Sequence, residues 1–241
     1  MAEPGRDQAL DHRSWIFPRD PDFAAKAGRV LDLYGREFEG QPLGADDFVI
    51  SADEKTSIQA RIPCHSTTPA GPGRPMRVEH EYERGGSLAY IAAWDVHRGK
   101  LFGQLSPTTG IAPSDALVDQ VMSQEPYRSA RRVFWVLDNG SSHRGAPSIQ
   151  RLQAAHANLI PVHLPIHASW LNQIEIYFSI LQPKVLTPPR ADSLNGLAAD
   201  IVGFQAGYEV LAKPFRWKFT RDDLNQLLQR LPGSTLAQAA A

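Results

Sequence analysis

Apolar residues along this chain fall into two patterns. Continuous short runs bounded by turn formers (Phe48 to Asp53, Val133 to Leu137, Leu159 to His163) predict strands buried on both faces. Leu88 to Val96 and Lys100 to Leu105 predict two more, joined as a hairpin through Asp95-Val96-His97-Arg98-Gly99. Helical spacing appears from Pro21 to Phe38, where Phe23, Ala24, Ala27, Val30, Leu31 and Tyr34 share a face before Gly40 and Pro42 end it. Further helices are expected from an N-cap at Ser114 to a stop at Pro126, near Ser148 to His156, and from Ser169 to about Gln182. After the Pro188-Pro189 break, helices follow near Ser193 to Leu211 and, capped by Thr220, from Arg221 to Leu231. The Pro/Gly/Thr-dense stretch from Pro63 to Pro75 predicts a loop, and no internal repeat is visible. Strands alternating with helices after an initial hairpin imply an α/β fold, a mixed sheet of five strands with helices on both faces.

Composition changes this picture little. With 241 residues and 42% hydrophobic side chains the chain can bury a sizeable core. Its single cysteine, Cys64, excludes an intramolecular disulfide framework and fits a reducing cytoplasm. No apolar run approaches a membrane span, and the polar N-terminus is no signal peptide. A formal net charge of −1 says little against a nucleic-acid partner, because it ignores clustering and because bound metals would offset carboxylates.

Three acids stand out. Asp53 and Asp138 each end an apolar run, and ligands of open α/β sheets bind at the carboxyl ends of strands. If those strands are parallel neighbours, two carboxylates meet at one rim and repel unless a proton or cation intervenes. Mg²⁺, with its preference for oxygen ligands, suits such a pair. Turn initiation alone would also account for either aspartate, Asp138-Asn139-Gly140 being turn-like. Projecting the Ser169 helix places Trp170, Ile174, Phe178 and Leu181 on one stripe with Glu175 at its border. A half-buried carboxylate there needs a partner, either a shared metal or an arginine from elsewhere.

The segments Ser51-Ala52-Asp53-Glu54-Lys55-Thr56, Leu137-Asp138-Asn139-Gly140-Ser141-Ser142-His143 and Ser169-Trp170-Leu171-Asn172-Gln173-Ile174-Glu175 closely resemble the catalytic blocks of mariner-type DDE transposases, above all their bacterial insertion-sequence relatives. The separation of the last two acids, 175 − 138 = 37, leaves a spacing that family tolerates. The resemblance runs from about Phe23 to Leu231 and implies a ribonuclease-H-like fold. It also implies that Asp53, Asp138 and Glu175 are metal-binding catalytic acids holding Mg²⁺ or Mn²⁺, as two ions. The chemistry implied is hydrolysis of a DNA phosphodiester followed by attack of a 3′-hydroxyl on target DNA. The implied partners are double-stranded DNA (transposon ends and target) and a second copy in a homodimer, with no membrane; the implied setting is the bacterial cytoplasm, at the nucleoid when bound to DNA. The expected organisation is a disordered leader at 1–20, a helix and linker at 21–43, the catalytic domain at 44–231 and a frayed tail at 232–241. Members of the family usually carry helix-turn-helix modules ahead of the catalytic domain, and the roughly forty residues before the first catalytic strand are not expected to hold two of them. The alternatives are a remnant that binds DNA or full-length transposase without cutting, and a ribonuclease-H-like nuclease without strand transfer.

Other residues carry weaker signals. Lys55, His143, Arg216 and Lys218 are candidate DNA contacts, and Arg74, Arg77 and Arg84 are also placed to meet it. The stretch Lys213 to Arg221 interleaves cations with aromatics, which suits a nucleic-acid strand but suits a half-buried strand pinned to the core better. Arg128, Arg131 and Arg132 precede the Asp138 strand and read as surface charge. His163 and His167 lack the cysteine partners a structural zinc site would use, and Ser141-Ser142-His143 lacks a nucleophile elbow.

Overall fold

The computed structural model describes residues 20–77, 81–140, 145–187 and 192–230. Helix α1 (Phe23–Tyr34) is followed by a two-residue hairpin, β1 (Glu37–Phe38) and β2 (Gln41–Pro42). The main elements are β3 (Asp47–Pro63), β4 (Tyr82–Asp95), β5 (Lys100–Ser106), α2 (Ile111–Met122), β6 (Arg132–Leu137), α3 (Ala146–Ala155) and β7 (Leu159–His163). A 3₁₀ turn (Ser169–Leu171), α4 (Ile174–Leu181), a π turn (Gln182–Leu186), α5 (Leu194–Leu211) and α6 (Arg221–Gln229) complete the described chain.

Five strands form one sheet in the order β5-β4-β3-β6-β7. The first three are an antiparallel meander, while β6 and β7 add in parallel to β3. Period-two alternation sends Tyr90, Ala92 and Trp94 to the face covered by α1, α4, α5 and α6, and Ala89, Ile91 and Ala93 to the face covered by α2 and α3. Burial on both faces is why β6 and β7 read as unbroken apolar runs. The expected five-stranded mixed sheet is therefore present.

Several local expectations are corrected. The first helix ends at Tyr34, not Phe38, because Arg36 and Glu39 take positive φ values and turn the chain into the β1–β2 hairpin. That hairpin lays Phe38 on Phe134, ring centroids 4.6 Å apart. Helix α2 starts at Ile111, so Ser114 is a buried first-turn residue and Gly110 the cap; Pro113 is tolerated there because first-turn N–H groups have no helical acceptor. The Pro188-Pro189 break lies outside the described residues, as do the tail and residues 1–19. The Thr220 cap is present as a full capping box with Asp223.

Arg131 and Arg132 are not idle surface charge. Both grip the buried Asp47 carboxylate: Arg132 donates from Nε at 3.0 Å and from its terminal nitrogen at 2.8 Å, Arg131 from Nε at 3.1 Å, and the Gly44 amide adds a third donor at 2.9 Å. Arg131 reaches Asp47 from an exposed position, and Arg128 pairs at the surface with Glu125. Asp47 and Arg132 are register partners, so this clamp pins the start of β3 to the start of β6. Hydrogen bonds from Arg132, opposed by burial and joined by those from Arg131, hold the Asp47 carboxyl well below the usual carboxylate range. Its stabilisation is therefore present above the unfolded value near 3.8 and is lost as pH falls further. Asp47→Ala is expected to cost about 2–4 kcal/mol at neutral pH, since it strands two guanidinium groups and an amide. Urea titrations of both proteins check this, and the difference should shrink below about pH 4.

Candidate active site

Asp53 lies inside β3 rather than at its end. The strand runs on for ten residues beyond it, paired with β4 alone. The expected strand-end position nevertheless has a physical counterpart, because parallel pairing of β3 with β6 stops at Ser51↔Val136. Every pair in that ladder differs by 136 − 51 = 85, and 53 + 85 = 138. Asp53 and Asp138 are thus level with one another where β6 leaves the sheet. Alternation puts both on the face that carries Val49, Phe134 and Val136, beneath α4.

The start of the loop after β6 is held by two hydrogen bonds. The Gly140 amide donates to Asp138 Oδ1 at 2.8 Å, and Asn139 Nδ2 donates to the Leu164 carbonyl at 2.6 Å. A Cβ on Gly140 would stand 2.8 Å from Asp138 Oδ1, so the turn that orients this carboxylate requires glycine. His143 lies outside the described residues.

Glu175 is half-buried in the first turn of α4, where the helix N-terminus favours a negative charge. The helix expected from Ser169 to about Gln182 is broken: Ser169–Leu171 is a single 3₁₀ turn, Asn172 is extended and α4 begins at Ile174. Trp170, expected on the apolar stripe, is 46% exposed as a result. The break comes from side chains 120 residues apart. Buried Asn172 accepts from the Ser51 hydroxyl, and its Nδ2 donates to the Ala52 carbonyl at 3.0 Å and to Asp53 Oδ2 at 3.2 Å. Ser51 Oγ in turn accepts from the Ile174 amide at 3.0 Å, and Tyr34 donates to the Leu171 carbonyl at 2.8 Å. This network bolts the start of α4 to β3 beside Asp53. Sequence reasoning missed Ser51 and Asn172; the available signal was the pair of amides Asn172-Gln173 between Leu171 and Ile174, which burial obliges to find partners.

Burial, followed by the charges of Asp138 and Glu175, pushes the Asp53 carboxyl up to about 7 against hydrogen bonds from the Glu54 amide and Asn172. Burial also raises Glu175, offset by Lys55. Lys55 sits two residues beyond Asp53 on the same face, 5.9 Å from the Phe178 ring centroid. Asp53 therefore feels the charge of both other acids. Among the described residues no three His, Cys, Asp or Glu side chains are gathered closely enough to ligate one ion. The fit to a hard divalent cation accordingly rests on chemistry and charge: an all-oxygen donor set whose mutual repulsion a cation would relieve.

Arg216 and Lys218 lie elsewhere. Their segment forms neither helix nor strand, correcting the half-buried strand expected there. Its rings face inward: Phe215 stacks on Trp94 at 4.5 Å, Trp217 meets Tyr34 at 5.3 Å and Phe219 meets Trp170 at 5.5 Å. Both cations point outward and are exposed, as the core-pinned reading expects. No helix among the described residues is long and apolar enough to cross a membrane.

Residues 49–197 match the family described as DDE superfamily endonuclease, a stretch that begins at Val49 and contains all three acids. No curated protein matches the chain. Among solved structures, the Mos1 mariner paired end complex with Mn is similar at 16% identity and a TM-score of 0.55, covering 95% of this chain and 64% of that one. The Mos1 transposase paired-end complex with left transposon end matches at 16% and 0.56, covering 100% and 66%. The Mos1 strand transfer complex matches at 15% and 0.55, covering 97% and 67%. The chain thus spans just under two thirds of the first two Mos1 chains, and the likeness is one of fold, the ribonuclease-H-like arrangement expected.

Proposed function

The chain belongs to the DDE superfamily endonucleases, and from that premise we propose that it is the catalytic part of a DNA transposase whose acids are Asp53, Asp138 and Glu175. The observation that carries this is the register of β3 on β6, which sets Asp53 level with Asp138 while the Asn172 network holds the Glu175 helix against the same strand. The substrate is double-stranded DNA, transposon ends and target. The working form is a homodimer that pairs two ends, as the Mos1 paired-end complexes suggest for their relative. The setting is the bacterial cytoplasm, at the nucleoid.

In the first step a water oxygen bonds to phosphorus and the P–O3′ bond breaks, leaving a 3′-hydroxyl and a 5′-phosphate. In the second that hydroxyl attacks a target phosphodiester, one P–O bond forming as another breaks, so no energy source is needed. Two Mg²⁺ or Mn²⁺ ions, when bound by the three carboxylates, would activate the attacking oxygen and stabilise the leaving one. The protein's own part is to keep Asp53 in a half-buried, hydrogen-bonded position, to fix Asp138 through Gly140 and to present Glu175 from a helix whose start is hydrogen-bonded to β3. Lys55 balances the charge of Glu175 and stands ready for a phosphate.

The test is Mg²⁺- or Mn²⁺-dependent nicking and joining of labelled DNA by wild type and Asp138→Asn. Loss of both activities in the variant, by about 1,000-fold or more, is expected, since a metal ligand is worth several kcal/mol of transition-state stabilisation. Equal activity would sink the proposal, and cleavage without joined products would reduce it to a nuclease.

A further inference from the structure

Beyond Lys55, β3 pairs only with β4, and β4 has left β5 as well, so the two form a two-stranded ribbon over Ile58–Pro63 and Tyr82–Leu88. Between this ribbon and the α4–α5 connection lies a cleft of about 170 Å³, lined among others by Lys55, Ser57, Gln59, Arg61, Gln182 and Thr187. Its lining holds two cations, several amides and hydroxyls, and no carboxylate. Lys55 joins it to the acids, being two residues, or about 7 Å, along the same face from Asp53.

Arg61 is the telling residue. Its register partner across the ribbon is Arg84, and both are exposed. Like charges directly opposite one another destabilise a strand pair. Arg61 lies over the Tyr82 ring at 5.0 Å, and among the described residues neither arginine is ion-paired. Glu83, the neighbour of Arg84, is turned by the pleat to the opposite face. A cation pair kept apart from carboxylates, beside a cleft rich in hydrogen-bond donors, is complementary to a run of phosphate oxygens.

We propose that this cleft and the Arg61–Arg84 pair form the track that holds the sugar–phosphate backbone of the DNA strand to one side of the scissile phosphate. The inference rests on the reading of the three acids as a DNA-cutting site. Contacts of this kind position the strand without reading bases, so the track is indifferent to sequence.

The experiment is fluorescence anisotropy with a labelled DNA duplex of arbitrary sequence, in EDTA so that no cutting intervenes, across a series of NaCl concentrations. Wild type is compared with Arg61→Gln, Arg84→Gln, the double variant and Arg128→Gln, the last at the opposite end of the sheet. Each single substitution should lower the slope of log K against log[NaCl] by about 0.9 and weaken binding about eightfold near 0.1 M salt. The double variant should lose about twice that slope, and Arg128→Gln should match wild type. Unchanged slopes in Arg61→Gln and Arg84→Gln overturn the track. Parallel nicking assays tell the two failures apart: unchanged slopes alongside metal-dependent nicking by wild type, lost in Asp138→Asn, remove the track and leave the acids standing. Absence of nicking in wild type overturns both.

Discussion

Asp53→Asn is expected to abolish DNA cutting and yet to make the metal-free protein more stable at alkaline pH. The two effects have one cause. Asp53 is half-buried and feels the charges of two other acids, so its carboxyl is pushed up to about 7 in the folded chain against an ordinary 3.8. A raised carboxyl favours folding while protonated, and that contribution is lost as pH rises from the unfolded value through the folded one. Ionised, it costs the fold up to about 4 kcal/mol, the shift converted at 1.36 kcal/mol per unit. Asparagine keeps the shape and the acceptor for the Glu54 amide, but it loses the hydrogen bond from Asn172 Nδ2. A net gain of roughly 1–3 kcal/mol remains, about 2–8 °C in Tm for a chain of this size. The expected readouts are a higher Tm than wild type near pH 8, no difference near pH 4, and cleavage down by about 1,000-fold or more. Mg²⁺ should raise the wild-type Tm near pH 8 far more than near pH 5, where protons compete for the same oxygens. A variant less stable than wild type at alkaline pH, or one that still cuts, would contradict this account.

Asn172→Ala is expected to have the next largest effect, and through position rather than chemistry. The amide serves Ser51, the Ala52 carbonyl and Asp53 together, all beside the start of α4. Removing it leaves two or three buried polar groups unsatisfied, at about 1–3 kcal/mol each before relaxation, so a loss of roughly 2–4 kcal/mol is expected from denaturant titration. It also removes one of the hydrogen bonds that restrain the Asp53 carboxyl. The pH at which cleavage turns on should therefore move to the alkaline side, a displacement that a loss of packing alone would not produce. An unshifted profile would leave Asn172 a structural residue and nothing more.

How much of this could be read from the chain follows from where burial leaves a trace. The β7 run, Leu159–His163, is legible to the residue, and β6 begins one residue earlier than its apolar run, at Arg132. Both are covered on two faces, and two-sided burial leaves no polar interruption. The outer half of β3 carries its own alternation, Ile58, Ala60 and Ile62 against Gln59 and Arg61, but the polar run Glu54 to Ser57 and a register shift between Lys55 and Ile58 separate it from the apolar run that marks the inner half. The helix drawn through Ser169–Gln182 failed at Asn172 for another reason. Helical projection weighs neighbours three and four residues away, whereas Asn172 is held by residues on β3.

The chemistry divides in the same way. Local wording by itself determined the α/β class and the capping of the last helix and singled out the three acids as candidates, because each depends on residues close together in the chain. Only the tertiary structure decided that Asp53 stands level with Asp138, since that follows from a ladder whose start is clamped by Arg131 and Arg132 on Asp47. It alone decided that two unpaired arginines face one another across a ribbon. Register and cross-strand pairing are long-range hydrogen-bond choices, and a single residue's slip would send every side chain of β3 to the other face.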